Sequence, residues 1–413
     1  MNILFVSNLY PPSVLGGYEI LAADVARGLI RRGHDVTVQT SSFHPQGAPR
    51  PSLTGPSGEP VTRNLRLIRP FDESLNGKAR SAHLAAEREN RLILKRTIDR
   101  LKPDCVFFWS LRRLTLGPVR AAMAADIPYA ATLNDMYLTF YAPPRFSLVP
   151  RRMAGFFLDL TLARRTTLAD VSFPALTVIS RTLVEALERD GVPASHAQVI
   201  YQGVDPEIFA QKNCPGGLHK PARLLYVGQL YDYKGVHTAV EALGLLKSRG
   251  IGAHLTIAGA GDESYADRLR NLAERLGVAA QTEFMGRVPR ERLPELYRTA
   301  DVFVFPSIWD EPFGLTHLEA MASGLPVAST TRGGPGEFLK DGVNALTFPA
   351  GDGEALADRL ARLIREADLR RDLAIAGRQE VATRFNTTRY LDEIEAFLVD
   401  TVRRWPELAR RWG

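Results

Sequence analysis

The sequence predicts two doubly wound α/β domains in tandem, and three observations carry that prediction. The chain has 413 residues, which at roughly 150 residues per domain exceeds a single core and suits two large ones. Short runs rich in Val, Ile, Leu and Phe, bounded by Gly, Pro or Asp, alternate with helix-like segments; this is the pattern of parallel sheets covered on both faces. The alternation stops at 202–222 (QGVDPEIFAQKNCPGGLHKPA), where three Pro and three Gly occur without periodicity, and then begins again. Such a stretch reads as an interdomain linker. We place a first domain over 1–205, a linker over 206–222, a second domain over 223–386, and a closing helix over 387–413 that packs back towards the first domain.

Taken in order, the first half offers strands at 2–7 (NILFVS), 35–41 (DVTVQTS), 65–69 (LRLIR), 104–109 (DCVFFW), 128–133 (PYAATL) and 176–180 (LTVIS). Each is short and rich in β-branched, aromatic or leucine residues. Helices are expected at 17–32, 78–101, 152–165 and 181–190. The Pro, Gly and Ser of 43–60 predict a mobile surface loop. In the second half, strands at 223–228, 254–259, 281–285, 302–306, 326–329 and 345–348 alternate with helices near 235–248, 264–276, 290–299, 315–323 and 353–365. Pro406 is expected to interrupt the closing helix, because proline lacks the helical donor and clashes with the preceding turn.

Composition closes several routes. Apolar residues make up 45% and charged residues 24%, as in ordinary globular proteins. Two cysteines, Cys105 and Cys214, cannot make a disulfide scaffold or a cysteine-rich zinc site. No run approaches the ~18 apolar residues of a membrane span. The N-terminus reads as a strand rather than a signal peptide, so a cytoplasmic location is expected. Residues 1–213 carry 26 basic and 19 acidic side chains, while 214–413 carry 26 and 27; the whole net charge of +6 therefore lies in the first half. The basic residues are not interleaved with aromatics and show no zinc-finger or helix-turn-helix spacing, which argues against nucleic acid. They form either an ordinary solvated surface or a face for an anionic partner, such as the inner face of a membrane.

The segment with the most chemistry is 306–324, PSIWDEPFGLTHLEAMASG. It follows a buried strand and opens a helix. Gly314 sits where loop becomes helix, so the amides of Gly314, Leu315 and Thr316 are free first-turn donors. Together with the helix dipole they suit a diphosphate. Glu319, inside the helix, can accept two hydrogen bonds from a vicinal diol such as a ribose. Glu311, before the helix, can meet a sugar hydroxyl on the other side of the phosphate site. Read alone, both are also ordinary glutamates favoured by a helix start.

EPFGLTHLEAMASGLPVAST resembles the Glu-x7-Glu motif of the family-4 retaining glycosyltransferases, which have the GT-B fold of two Rossmann-like domains facing each other across a cleft. SNLYPPSVLGGYEILAADVARGLIRRGHDVTV resembles the first strand, Gly-Gly loop and first helix of that family. ISRTLVEALERDGVP with VIYQGVDPEIF resembles the end of its first domain. YVGQLYDYKGV, IAGAGDE, FMGRV and ADVFVFPS follow in the order of its donor domain. The resemblance implies that Glu311 contacts the donor sugar near the reacting carbon and that Glu319 holds the ribose. Phe313, Gly314, Leu315 and Thr316 would hold the sugar hydroxyls and distal phosphate with their backbone. Lys234 would neutralise the diphosphate, and Arg287 would mark where main-chain groups meet the base. Gly16 and Gly17 would bring amides to the diphosphate from the first domain. Two positions depart from the family. Gln229 stands where it usually has a phosphate-binding arginine, and Asn134 stands where it often has a histidine facing the donor sugar.

Metal and cofactor readings fail. No Asp-x-Asp occurs, so no metal clamp for a diphosphate is expected. The eight histidines, His317 among them, form no i,i+4 pair and no HExxH. Gly259-Ala260-Gly261-Asp262-Glu263-Ser264 breaks the dinucleotide fingerprint. The expected activity is therefore metal-independent transfer of a sugar from a nucleoside-diphosphate sugar to a carbohydrate, glycolipid or small-molecule acceptor. Retention by front-face attack is expected, with Glu311, Lys234 and Asn134 nearest the chemistry. The alternatives are a GT-B epimerase or phosphorylase, and a non-catalytic nucleotide-sugar binding subunit, which Gln229 and Asn134 keep open.

Overall fold

The computed structural model describes residues 1–45, 48–69, 80–142, 167–209 and 218–412. The helix expected over 152–165 and the middle of the linker lie outside them. Two compact units emerge. Unit 1 comprises Met1–Ile179, Leu183–Ile200 and Leu391–Gly413, and unit 2 comprises Ser180–Thr182 and Tyr201–Tyr390.

Unit 1 is built on strands β1 (Asn2–Ser7), β2 (Asp35–Ser41), β3 (Val61–Leu65), β4 (Cys105–Ser110), β5 (Tyr129–Leu133), β6 (Ala175–Val178) and β7 (Gln198–Val199), in the order β3-β2-β1-β4-β5-β6-β7. All neighbours are parallel. Helices α1 (Gly17–Arg31), α2 (Arg80–Leu101), α3 (Gly117–Ala125) and α4 (Arg181–Arg189) connect them. β4 is buried along its whole length, which is why its sequence reads as an unbroken apolar run rather than an alternating one. Phe5 packs edge-on to Phe107 at 5.4 Å and flat against Trp109 at 5.6 Å, forming the centre of this core.

Unit 2 repeats the scheme with β8 (Ala222–Val227), β9 (Ala253–Ala258), β10 (Thr282–Gly286), β11 (Val302–Phe305), β12 (Val327–Ser329) and β13 (Leu346–Thr347), in the order β10-β9-β8-β11-β12-β13. These strands are again parallel. Its helices are α5 (Val236–Ser248), α6 (Glu263–Arg275), α7 (Leu293–Thr299), α8 (Leu315–Ala322), α9 (Gly353–Arg365) and α10 (Ala367–Arg384). In each sheet the strand order reverses once, between β1 and β4 and between β8 and β11. Loops on either side of such a switch point run apart and leave a crevice at the strands' carboxyl ends.

Several expectations change. The strand expected at 65–69 is Val61–Leu65 instead; Leu67 and Ile68 are buried, but the Ile68 amide donates to the Arg113 carbonyl, outside the sheet. The stretch 43–60, expected as a mobile loop, contains a defined turn. Its Glu59 is buried, accepts from the Tyr10 hydroxyl and takes the Ser57 amide at 2.8 Å. Pro406 does not interrupt the closing helix α11, which runs unbroken over Thr387–Trp412. The lost hydrogen bond is offset by side-chain anchoring: Trp405 is buried and packs on Tyr129 at 5.0 Å. His34 and Glu395 meet at 2.8 Å on the same side. Helices α3 and α10 were not expected.

Candidate functional site

The unit 2 switch point gathers most of the residues that the sequence singles out. The loop after β8 carries Gln229 and then Lys234 in a short 3-10 turn, Asp232–Lys234. Gly235 follows with φ 65°, and a Cβ there would strike the Pro306 carbonyl at the end of β11; glycine is what lets the two loops close on each other. The loops are also tied by the Ile308 amide, which donates to the Tyr233 carbonyl at 3.1 Å.

This closure brings the Lys234 ammonium to Glu311. Nζ lies 2.8 Å from both carboxylate oxygens, and both side chains are largely buried. Ser307 Oγ donates to Glu311 Oε1 at 2.6 Å. The rings of Trp309, Tyr233 and Phe305 surround Nζ at 5.2, 5.5 and 5.8 Å. The Glu311 backbone is clasped from behind: its amide donates to Arg332 O at 3.2 Å and its carbonyl accepts from Gly334 at 2.7 Å. A Cβ on Gly333, whose φ is 75°, would collide with that backbone.

Helix α8 opens beside this pair. Gly314 has φ 116°, and an added Cβ would come within 2.7 Å of His317 Nδ1. Phe313 is buried, stacked on Tyr201 at 5.7 Å and packed against Phe338 at 5.6 Å, so its side chain anchors the turn while Leu315 and Thr316 expose first-turn amides that have no intrahelical acceptor. Within α8, His317 is fully buried, with Nε2 2.8 Å from Ser329 Oγ. Burial, and then the nearby Lys234 charge, push its pKa down to about 3. It is therefore a neutral packing residue at physiological pH. Glu319 is buried and accepts from the Tyr297 hydroxyl at 2.9 Å. Burial raises its pKa, against the pull of Arg290 and Tyr297.

Other predicted residues fall elsewhere. Gln229 is exposed, its carbonyl accepting from the Tyr226 hydroxyl at 2.8 Å. Arg287 is exposed just past the end of edge strand β10. In unit 1, Asn134 follows β5, is buried, and donates from Nδ2 to the Tyr18 hydroxyl at 2.8 Å. Gly16 and Gly17 open α1, but the Gly16 amide is already taken: Glu19 accepts it at 2.9 Å and the Leu15 amide at 3.3 Å. Of the two glycine amides expected to approach a diphosphate, that of Gly16 is thus held by an internal carboxylate.

Sequence reasoning missed Ser307, Tyr297, Glu19 and the Arg332–Gly334 clasp. Glu19, three residues after Gly16, carries a legible signal, the spacing of a helix-start capping carboxylate. Ser307 and Tyr297 carry none, since their partners come from other elements. Among the described residues no group of three or more His, Cys, Asp or Glu is placed to hold a metal. No described helix is long and apolar enough to cross a membrane.

Comparison with known proteins agrees with this arrangement. Residues 15–208 match the Glycosyltransferase Family 4 family and residues 210–380 match Glycosyl transferases group 1. The chain is 30% identical to a glycogen synthase of Mycobacterium tuberculosis over 398 residues, covering 94% of this chain and 91% of that one. It is 26% identical to an uncharacterized glycosyltransferase of Methanocaldococcus jannaschii, covering 94% and 95%. The fold matches that of Anabaena HepE, solved with UDP, with a TM-score of 0.71 at 20% identity over 97% of this chain and all of that one.

Proposed function

The chain belongs to the family-4 glycosyltransferases of the GT-B fold, and from that premise we propose that it moves a sugar from a nucleoside diphosphate to an acceptor with retention at the anomeric carbon and without a metal. The observation that carries the reading is the convergence, at one switch point, of a buried Lys–Glu pair with the glycine-shaped start of α8. An ammonium ion and first-turn amides are what a diphosphate leaving group needs when no metal accompanies it. Glu319 offers its carboxylate to the ribose diol about one turn further on. HepE, of the same fold, was solved with UDP.

In this mechanism the diphosphate draws Lys234 away from Glu311. The bond between the anomeric carbon and the phosphate oxygen breaks, and Lys234 and the α8 amides take up the charge that develops on that oxygen. The acceptor oxygen attacks from the same face, and its proton passes to the departing phosphate. Glu311, released from Lys234 but still held by Ser307, orients the sugar and faces the cationic ring carbon. The protein contributes positioning and preorganised charge. No carboxylate is called on to form a covalent intermediate.

A thermal-shift screen against UDP, GDP, ADP and TDP tests the donor half directly. A nucleotide at 100 times its Kd stabilises the fold by about 2.7 kcal/mol. No shift with any of the four removes the reading of this site as a nucleotide-sugar site.

A further inference from the structure

Beside the Lys234–Glu311 pair stands a wall of aromatic rings that the donor chemistry does not require. Tyr231 and Tyr233 stack with centroids 5.4 Å apart and planes only 4° from parallel. Trp309 meets Tyr233 at 5.4 Å and 67°, so the three rings form a corner. Tyr233 and Trp309 are 40% and 39% exposed, and Ile308 between the loops is 36% exposed. The wall is not loose. Its two loops are locked together by the Ile308 amide, which donates to the Tyr233 carbonyl. The corner opens onto the ion pair, since Lys234 Nζ lies within 5.5 Å of both the Tyr233 and the Trp309 centroids.

A contiguous apolar patch left in water beside a buried charge pair marks a binding surface. Its shape selects the ligand. An aromatic corner, with an ammonium, a carboxylate and the Ser307 hydroxyl at its foot, matches a molecule with an apolar face and a polar rim. A sugar ring is such a molecule: its C–H face packs on the aromatic plane, and its hydroxyls project sideways towards polar groups. We propose that Tyr231, Tyr233 and Trp309 form an acceptor subsite that binds a sugar ring, so that the attacking hydroxyl belongs to a saccharide and not to a simple alcohol. A nucleobase is also flat, but it is joined to the diphosphate through the ribose, and two of these rings, Tyr233 and Trp309, border the ammonium itself. The rigid wall holds the acceptor ring in place before attack, which lowers the cost of orienting it.

The inference rests on reading Lys234 and Glu311 as the donor centre, so its test is run in two arms. In the first, nucleotide-free protein is applied to an array of printed oligosaccharides that also carries immobilised glycerol and short-chain alcohols. Wild type binds saccharide spots only. Trp309→Leu and Tyr233→Leu weaken that binding at least tenfold, while Trp309→Phe, which keeps a flat ring, stays within threefold. In the second arm, Tyr231→Leu, which removes the ring of the wall not placed around Lys234 Nζ, weakens saccharide binding in the same way and is tested for thermal shift with UDP, GDP, ADP and TDP, where it keeps the wild-type response. Binding to no saccharide spot, equal binding to the alcohols, or unchanged binding in Trp309→Leu overturns the proposal. Loss of the nucleotide shift in Tyr231→Leu also overturns it, by assigning the wall to the nucleotide. A wild-type protein that binds saccharides but no nucleotide leaves the wall standing and sinks the donor reading instead.

Discussion

Glu311 and Lys234 neutralise each other in a buried setting, and this couples stability to function. Removing one partner of such a pair strands the other charge and typically costs 3–5 kcal/mol. Glu311→Ala should therefore lower the melting temperature and reduce kcat by orders of magnitude. It should also bind nucleoside diphosphate at least as tightly as wild type, because Lys234 no longer has an internal competitor; calorimetry and steady-state rates check both halves. A wild-type kcat in this variant would refute the assignment. Glu319 behaves differently. Burial raises its pKa, so the charged form weakens the fold, and the penalty is complete only above that raised value. Glu319→Gln should raise the melting temperature at pH 7, and the gain should vanish as pH falls below the ordinary glutamate range, where both states are protonated. Nucleotide binding should weaken at the same time. Gln229 is exposed, so Gln229→Arg can add a cation without repacking and should tighten diphosphate binding severalfold; weaker binding would show that Gln229 has its own role in donor choice. At this scale Glu311 and Glu319 stand out in the sequence because their placement around a helix start has a chemical reason, whereas Lys234 is singled out only by the family resemblance. The sequence hid Ser307 and Tyr297, whose relevance exists only once β11 and α7 are packed beside them.

Among the elements, α8 does the most for the site. Its start depends on Gly314, whose φ of 116° suits glycine and whose missing Cβ leaves room for the His317 ring. Gly314→Ala should cost about 1–3 kcal/mol from backbone strain and abolish diphosphate binding, because the first-turn amides rotate away. Denaturant melts paired with a UDP titration check this; retained binding would mean that the amides are not the phosphate contact. Since Lys234 and those amides carry the charge, EDTA should leave transfer intact, and a strict Mg²⁺ or Mn²⁺ requirement would contradict this account. Elements were legible where burial was two-sided or the helical face strongly amphipathic, as for β4 and α9. α3 escaped because its Ala-rich GPVRAAMAA shows little apolar contrast, although Pro118 near its start is a usable signal. The interruption expected at Pro406 did not materialise, because a local rule about proline says nothing of the packing that holds Trp405.

For the molecule as a whole, the chain passes from unit 1 to unit 2 between Ile200 and Tyr201, with Ser180–Thr182 also in unit 2; the composition break at 202–222 follows that passage. The closing helix was expected to pack back towards the first domain, and Leu391–Gly413 belongs to unit 1. Charge is the other property of this scale. Unit 1 holds most of the basic excess, and part of it is organised. Arg88, Arg91 and Lys95 lie three and four residues apart on α2 and are exposed. α2 ends at Leu101, and Lys102 follows in a left-handed conformation. It lines, with Arg91, Lys95, Ile98 and Asp99, an open pocket of about 480 Å³ in which Asp99 pairs with Lys95 at 2.6 Å. Lys102 and Pro103 immediately precede β4, and Ala125 and Ile127 of the same pocket precede β5, so this basic face lies at the amino ends of the strands. Acceptor chemistry belongs at the carboxyl ends. The face is thus better suited to docking on an anionic surface than to holding an acceptor. Each basic residue near an anionic bilayer contributes about 1 kcal/mol, screened by salt. The protein should bind vesicles containing phosphatidylserine at low salt, ignore purely phosphatidylcholine vesicles, and detach as salt rises. Reversing Arg88, Arg91 and Lys95 to Glu should abolish that binding and leave the thermal shift with nucleotide unchanged. Equal affinity for the two vesicle types, or binding that survives the reversal, would return these residues to the role of a solvated helix face and leave the protein with a soluble acceptor.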